Sequence, residues 1–381
     1  MLTADCKQQS SHAAQDQARQ PTARRRRVDG QWSARRIVRA VLEFIAIEMI
    51  GRALYYSGAL CLVGWLRQRV GRRRLLIPMY HRVRPADDPA RDALIGVQRG
   101  LSRDLFDQHV RVFRWFGRLL TLDQALDHLH GSARPRSAIA LTFDDGYRDN
   151  LTEALPVLRK YDAAATVFPV VRTASGGRPL WWDELSQIVR DARLHDDVNL
   201  EALAATVLDM ELLEDGVAAA EAICRRLVPL AHVDRDRQLE LLSQRLGVDR
   251  QAGRAADLYA NWDELRVMAA AGVEVGSHTI DHVVLSCETP DTIHEQLVGS
   301  KRAIEQQLRR PVSCLSYPNG GHDGAVHELA AAAGYRAAVT VEHGVNHSDT
   351  DPFQLRRVPI GQERPFHLAL KLAFYDFVHR D

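Results

Sequence analysis

With 381 residues, 46% of them hydrophobic and 26% charged, the chain can bury a large core and is neither low-complexity nor disordered as a whole. Its formal charge of +1 conceals an asymmetry: residues 1–84 contain 17 Lys+Arg and 5 Asp+Glu, a balance of +12 that leaves −11 for the remainder. Five cysteines, an odd number without pairing spacing, imply no disulfide framework.

Residues 1–36 are polar and include the arginine block 24–27, which predicts a disordered basic tail. Residues 37–66 are mostly apolar but carry Arg39, Glu43, Glu48 and Arg52. Their longest uncharged run, 53–66, is shorter than the ~20 residues a spanning helix needs. The apolar stretch also starts late and lacks a small-residue cleavage pattern, so it does not read as a signal peptide. Segment 37–75 is expected to be helical, either packed on the following domain or lying on an anionic membrane with its arginines at the headgroups. No nucleic-acid reading motif accompanies the basic residues, and no nucleic-acid partner is expected. These features together favour a cytoplasmic protein or one peripheral on the inner membrane face.

Beyond residue 76, strand-like runs at 139–143, 164–171, 273–277, 312–317 and 335–341 alternate with helical spacers. That order predicts an α/β fold with a parallel sheet, doubly wound or closed into a barrel. The stretch 176–260 is far longer than a strand-to-helix connection needs. Its interior is rich in Ala, Leu, Glu and Arg, which predicts a helical insertion.

The first of these runs, Ile139-Ala-Leu-Thr-Phe, ends abruptly in Asp144-Asp145-Gly146, so two carboxylates arrive at one rim. Adjacent carboxylates repel, and a cation beside them would hold one ionised while leaving the other free to act as a base. The third run ends in Ser277 and is followed by His278-Thr-Ile-Asp-His282, a spacing that would put two imidazoles on one face of a helical turn. Two neutral imidazoles and one carboxylate suit zinc and leave positions open for water and substrate. Either element alone is more often a plain turn or a chance pair; their combination points to a one-metal hydrolytic site.

Thr142-Phe-Asp-Asp-Gly146, Gly276-Ser-His-Thr-Ile-Asp-His282 and Leu315-Ser-Tyr-Pro-Asn-Gly320 resemble, in order, three motifs of the polysaccharide deacetylases of the NodB-homology type. Pro78-Met-Tyr-His-Arg-Val83, Leu180-Trp-Trp-Asp183 and Leu355-Arg-Arg-Val-Pro-Ile360 resemble segments of the subgroup associated with exopolysaccharide synthesis. The resemblance runs from about residue 77 to the C-terminus. It implies a distorted, incomplete (β/α) barrel over 76–381, interrupted by the insertion and preceded by the helical appendage.

Residue by residue, the resemblance implies that Asp145, His278 and His282 hold one divalent ion, expected to be zinc, and that Asp144 is the general base of a metal-assisted hydrolysis. It places a backbone oxyanion donor at Asn319, where relatives carry an aromatic residue. Relatives also carry in this third motif an arginine that orients the base, and Ser316 stands in its place; Arg357 is the candidate replacement, although Arg356 and Arg357 equally suit a solvated strand edge. Tyr317, Pro318, Trp182 and His81 are candidate substrate contacts, with Trp181 and Trp182 suited either to stacking on sugars or to anchoring the insertion. No segment matches the motif that supplies the general acid. The implied partner is an acetylated glycan or lipid-linked sugar. Rival readings are a carbohydrate-binding protein whose catalysis has lapsed and a hydrolase of a non-sugar amide.

Overall fold

The computed structural model describes residues 48–70, 72–85, 100–132, 137–193, 223–228, 230–248, 250 and 257–378; the expected basic tail over 1–36 lies outside them. Seven short strands carry the centre of the fold: β1 Pro78–Tyr80, β2 Leu141–Asp145, β3 Ala165–Pro169, β4 Glu274–Val275, β5 Cys314–Ser316, β6 Ala337–His343 and β7 Leu355–Pro359. All neighbours pair in parallel, in the order β5-β6-β7-β1-β2-β3-β4. Read as a ring, this is simply chain order.

The two edges of the sheet meet at one point. Ser277, just past β4, bridges Leu315 of β5. Its N–H donates to the Cys314 carbonyl (3.0 Å), and the Ser316 N–H donates to the Ser277 carbonyl (2.9 Å). So close an approach requires a glycine beside it: a Cβ on Gly276 would lie 2.4 Å from the Phe168 ring and 2.8 Å from the Cys314 carbonyl oxygen. The distorted, incomplete barrel expected from the motifs is the architecture observed, its gap spanned by that single bridge.

The run expected as one strand over 139–143 bends at Ala140. Its first part, Ser137–Ile139, joins Arg74–Leu76 and Arg118–Leu119 in a small parallel side sheet. Its second part is β2, which continues through Asp145. Residues of a strand alternate between faces, so Thr142 and Asp144 share one side of β2 while Leu141 and Phe143 join the outer apolar core. Leu355 and Arg357 likewise share a face of β7, and both are buried. A second apolar cluster containing Phe168, Cys314, Val339 and Leu355 brings together side chains from β3, β5, β6 and β7.

Between β3 and β4 the described part of the insertion is helical, with Trp181–Arg193 and His232–Leu246 sharing a core of Trp181, Leu185, Ile188, Leu239, Leu242 and Leu246. Its two ends are drawn together beside β2. Tyr147 bridges Tyr259, the Ala260 N–H donates to the Gly146 carbonyl (2.9 Å), and the Leu180 N–H donates to the Tyr259 hydroxyl (3.1 Å).

The chain ahead of the barrel forms helices α1 Glu48–Tyr56 and α2 Ala59–Arg69, bent by 70°. Among the described residues no single helix is long and apolar enough to cross a membrane. Cys61 and Cys314 are free thiols.

Candidate active site

Asp144 and Asp145 occupy the last two positions of β2, and both are buried. Because strand neighbours point apart, the two carboxylates meet different surroundings. Asp145 adopts φ 71, a left-handed conformation that turns the chain sharply into Gly146.

The Asp144 side is fully paired. Arg357 donates from Nη1 to Oδ1 (2.9 Å) and from Nη2 to Oδ2 (2.8 Å), a bidentate fork. The guanidinium is itself held, with Nε donating to the Thr340 carbonyl (2.6 Å) and Nη2 to Ser316 Oγ (3.3 Å). Ser316 therefore accepts from the arginine instead of supplying one. Burial would raise the Asp144 pKa, but Arg357, helped by His278, outweighs it and holds the carboxyl well below the usual range. Of the two candidate arginines, Arg357 reaches Asp144; Arg356 is only half-buried.

The Asp145 side is built differently. His278 Nε2 and His282 Nε2 each lie 3.5 Å from Asp145 Oδ1, and the three donor atoms fall within 4.8 Å of one another. His278 Nδ1 donates to the Ser316 carbonyl (2.8 Å), which leaves Nε2 as the lone-pair nitrogen facing the site. Burial lowers the pKa of both imidazoles, favouring the neutral form that ligates metals. Burial, then Asp144 and Asp183, push the Asp145 carboxyl well above the usual range. Asp145 Oδ2 and His282 Nδ1 are buried without a hydrogen-bond partner. Converging donors, buried carboxylates and an orphaned oxygen fit a divalent cation, which would supply the charge this side lacks.

The histidine segment is not the helical turn its spacing suggests. Thr279 (φ 67) and His282 (φ 55) are both left-handed, so residues 278–282 form a tight loop. Gln296 Oε1 accepts from the N–H groups of Ile280 and Asp281 (3.0 Å each), and Thr279 Oγ1 accepts from the His282 N–H (3.0 Å). These bonds replace the helical ladder and bring the two rings to 4.7 Å.

The other expected residues distribute unevenly. His81 follows β1 with its ring in the field of Asp144, Arg357 and His278, and burial lowers its pKa to about 4. Asn319 adopts φ 53, which asparagine tolerates better than an aromatic residue does. Its Nδ2 is buried without a partner. Tyr317 is buried and stacks on His322 (5.2 Å), with the His327 ring tilted against it at 6.0 Å, and Pro318 is buried next to it.

Trp182 stands edge-on to His282 at 4.6 Å, and its Nε1 donates to the Tyr147 hydroxyl (2.9 Å). Trp181 packs inside the insertion core. Both tryptophans pack on the insertion core, and Trp182 in addition stands against the histidine pair. The motifs did not single out a role for Asp183, another buried carboxylate, which accepts from the hydroxyls of Tyr147 (2.8 Å) and Tyr259. The sequence signal for it was the Trp-Trp-Asp run. His347 and His367 face away, bonded to the Arg73 carbonyl and paired with Glu48.

A parallel α/β barrel of the NodB-homology type, with an Asp/His/His donor set beside an arginine-held aspartate at its rim, defines the class of protein. The family model for polysaccharide deacetylase matches residues 131–195 and 248–338, skipping the middle of the insertion. Over those residues the chain carries a polysaccharide deacetylase domain. Bacillus subtilis YxkH, provisionally named a polysaccharide deacetylase, is 21% identical over 222 residues; the match takes in 58% of this chain, which spans about half (51%) of that relative. The fold is shared with Streptococcus pyogenes deacetylase PplD in complex with acetate (TM-score 0.52, 18% identity, 79% of this chain and 99% of that one). It is shared equally with IcaB from Ammonifex degensii (TM-score 0.51, 18% identity, 80% and 99%).

Proposed function

We propose that this protein is a metal-dependent hydrolase of the exopolysaccharide-associated branch that removes N-acetyl or O-acetyl groups from a polysaccharide, oligosaccharide or lipid-linked sugar in the cytoplasm or at the inner membrane face. The observation that carries this reading is the division of labour between the two aspartates: one is gripped bidentately by Arg357, the other converges with two imidazoles. Asp145, His278 and His282 would hold one divalent ion, and their mixed nitrogen and oxygen donors suit zinc. When bound, such an ion supplies Lewis acidity that brings a water and the acetyl carbonyl within reach of a weak base.

Asp144 accepts a proton from the attacking water while Arg357 keeps it ionised and fixed in direction. The backbone N–H of Asn319 is the candidate donor to the tetrahedral oxyanion. His81 and Trp182 line the approach, His81 as a neutral hydrogen-bonding group and Trp182 as an apolar wall. Water adds across the acyl bond, giving acetate and the free amine or hydroxyl.

Acetate release from a panel of N-acetylated glycans and lipid-linked sugars, with metal content measured on the same sample, tests the proposal. Asp144→Asn should retain the metal and lose acetate release. Undiminished turnover in that variant would remove Asp144 as the base. Cleavage of a simple amide with no glycan turned over would transfer the site to a different substrate class.

A further inference from the structure

We propose that the outward faces of α1 and α2 form a docking surface for an anionic lipid bilayer. A surface helix of a globular domain normally turns its apolar stripe to the core and its polar side to water. These two are apolar on both sides: Leu54, Tyr55, Leu60 and Val63 pack against the core, and a second apolar set faces outward. On the inner side of α2, Arg67 Nη1 donates to the Leu372 carbonyl (3.4 Å), Gln68 Nε2 donates to the Trp115 carbonyl (2.7 Å), and Leu60 is buried. On its outer side Leu62, Trp65, Leu66 and Val70, at helical spacing, are 57%, 47%, 45% and 69% exposed. The first helix repeats the pattern with Met49, Ile50 and Tyr56 outward at 67%, 59% and 81%. Elsewhere among the described residues the exposed large apolar side chains are Val233, Leu241, Val267 and Phe374, and Phe374 belongs to the C-terminal helix on which this pair packs.

The shape and charge of this surface select the partner. Gly58 (φ 80) takes the left-handed conformation at the break, and the two helices, neither long and apolar enough to cross a bilayer by itself, lie at 70° to one another. The Arg69 guanidinium stands 4.5 Å over the Trp65 ring, and a tryptophan under an arginine suits the boundary between acyl chains and headgroups. Residues 1–84, which contain the surface, carry a balance of +12. That charge complements anionic headgroups and opposes the approach of a second copy of the same face. The proposal stands apart from the catalytic reading, since none of these residues belongs to the site.

Co-sedimentation of the full chain with vesicles of phosphatidylcholine alone, or mixed with phosphatidylglycerol, tests it. The wild type should sediment with the mixed vesicles and much less with the neutral ones. Combining Leu62→Ser, Trp65→Ser and Leu66→Ser should weaken sedimentation about tenfold or more while keeping every charge. Acetate release from a soluble glycan and the circular-dichroism melting curve should stay at wild-type values. If that triple variant does not fold, Met49→Ser combined with Tyr56→Ser carries the same test from the other helix. Equal sedimentation of wild type and variants, reversed by high salt in both, would assign the binding to the basic tail alone and overturn the proposal. Absence of sedimentation, or a wild-type dimer that the triple variant converts to monomer by light scattering, would overturn it as well.

Discussion

The two sides of the site differ in how complete they are. Around Asp144 every strong partner is present: both carboxylate oxygens are bonded by one guanidinium, which is braced by Thr340 and Ser316. Around Asp145 the same barrel rim leaves a buried oxygen and a buried imidazole nitrogen unpartnered. The first side is finished by the protein alone, and the second is short of a positive charge. The contrast teaches that adjacent residues of one strand can be given opposite electrostatic fates, because alternation turns one toward β7 and the other toward the loop after β4.

The strongest way to break this contrast is to remove a donor from the incomplete side. His278→Ala should abolish stoichiometric metal binding and lower acetate release by about three orders of magnitude. Elemental analysis paired with initial rates checks this; retention of both metal and activity would show that the donor set is not the working site. Next in size is Arg357→Met, which leaves Asp144 buried without its counter-charge. It should cost about 3–5 kcal/mol of stability by denaturant unfolding, yet leave metal stoichiometry unchanged. Loss of metal from this variant would mean that the two sides are not separable.

Acid sharpens the contrast without mutation. Burial depresses the His81 pKa to about 4, so between about pH 6.5 and about pH 4 the unfolded chain binds a proton that the native protein refuses. Stability of the metal-free protein from this group is therefore complete above that window and falls as pH drops through it. Asp144, held below the usual carboxylate range, should add a further loss only at more acidic pH, as its partnership with Arg357 titrates away. Thermal melts of metal-free wild type and His81→Asn across this range isolate the His81 contribution; the same pH dependence in both would remove His81 as its source. The smallest effect belongs to Ser316→Ala, which removes one acceptor from Arg357 and should cost no more than about 1 kcal/mol with catalysis within a few-fold.

Much of this was legible in the sequence because it is local. A strand that ends in two aspartates, and a strand that ends in Ser277-His278, announce their positions through apolar runs and turn residues. Arg357 was legible in part, since only the face of β7 decides between it and Arg356, and that depends on pairing with β1 and β6. The loop over 278–282 was misread as helical because its geometry depends on Gln296, in a later helix, capturing two backbone N–H groups. Asp183 escaped a functional reading because its role depends on Tyr147 and Tyr259, one on either side of the insertion.

The pinning of the insertion's two ends has a consequence for how the fold can be altered. Tyr147, Tyr259 and Asp183 clasp the stem of the excursion, so what lies beyond the stem can change length without moving β3 or β4. The excursion is thus a replaceable module on a fixed socket, one wall of which, Trp182, touches a histidine of the donor set. Exchanging this cassette would change what stands beside Trp182 while β2, β3 and β4 keep their pairing.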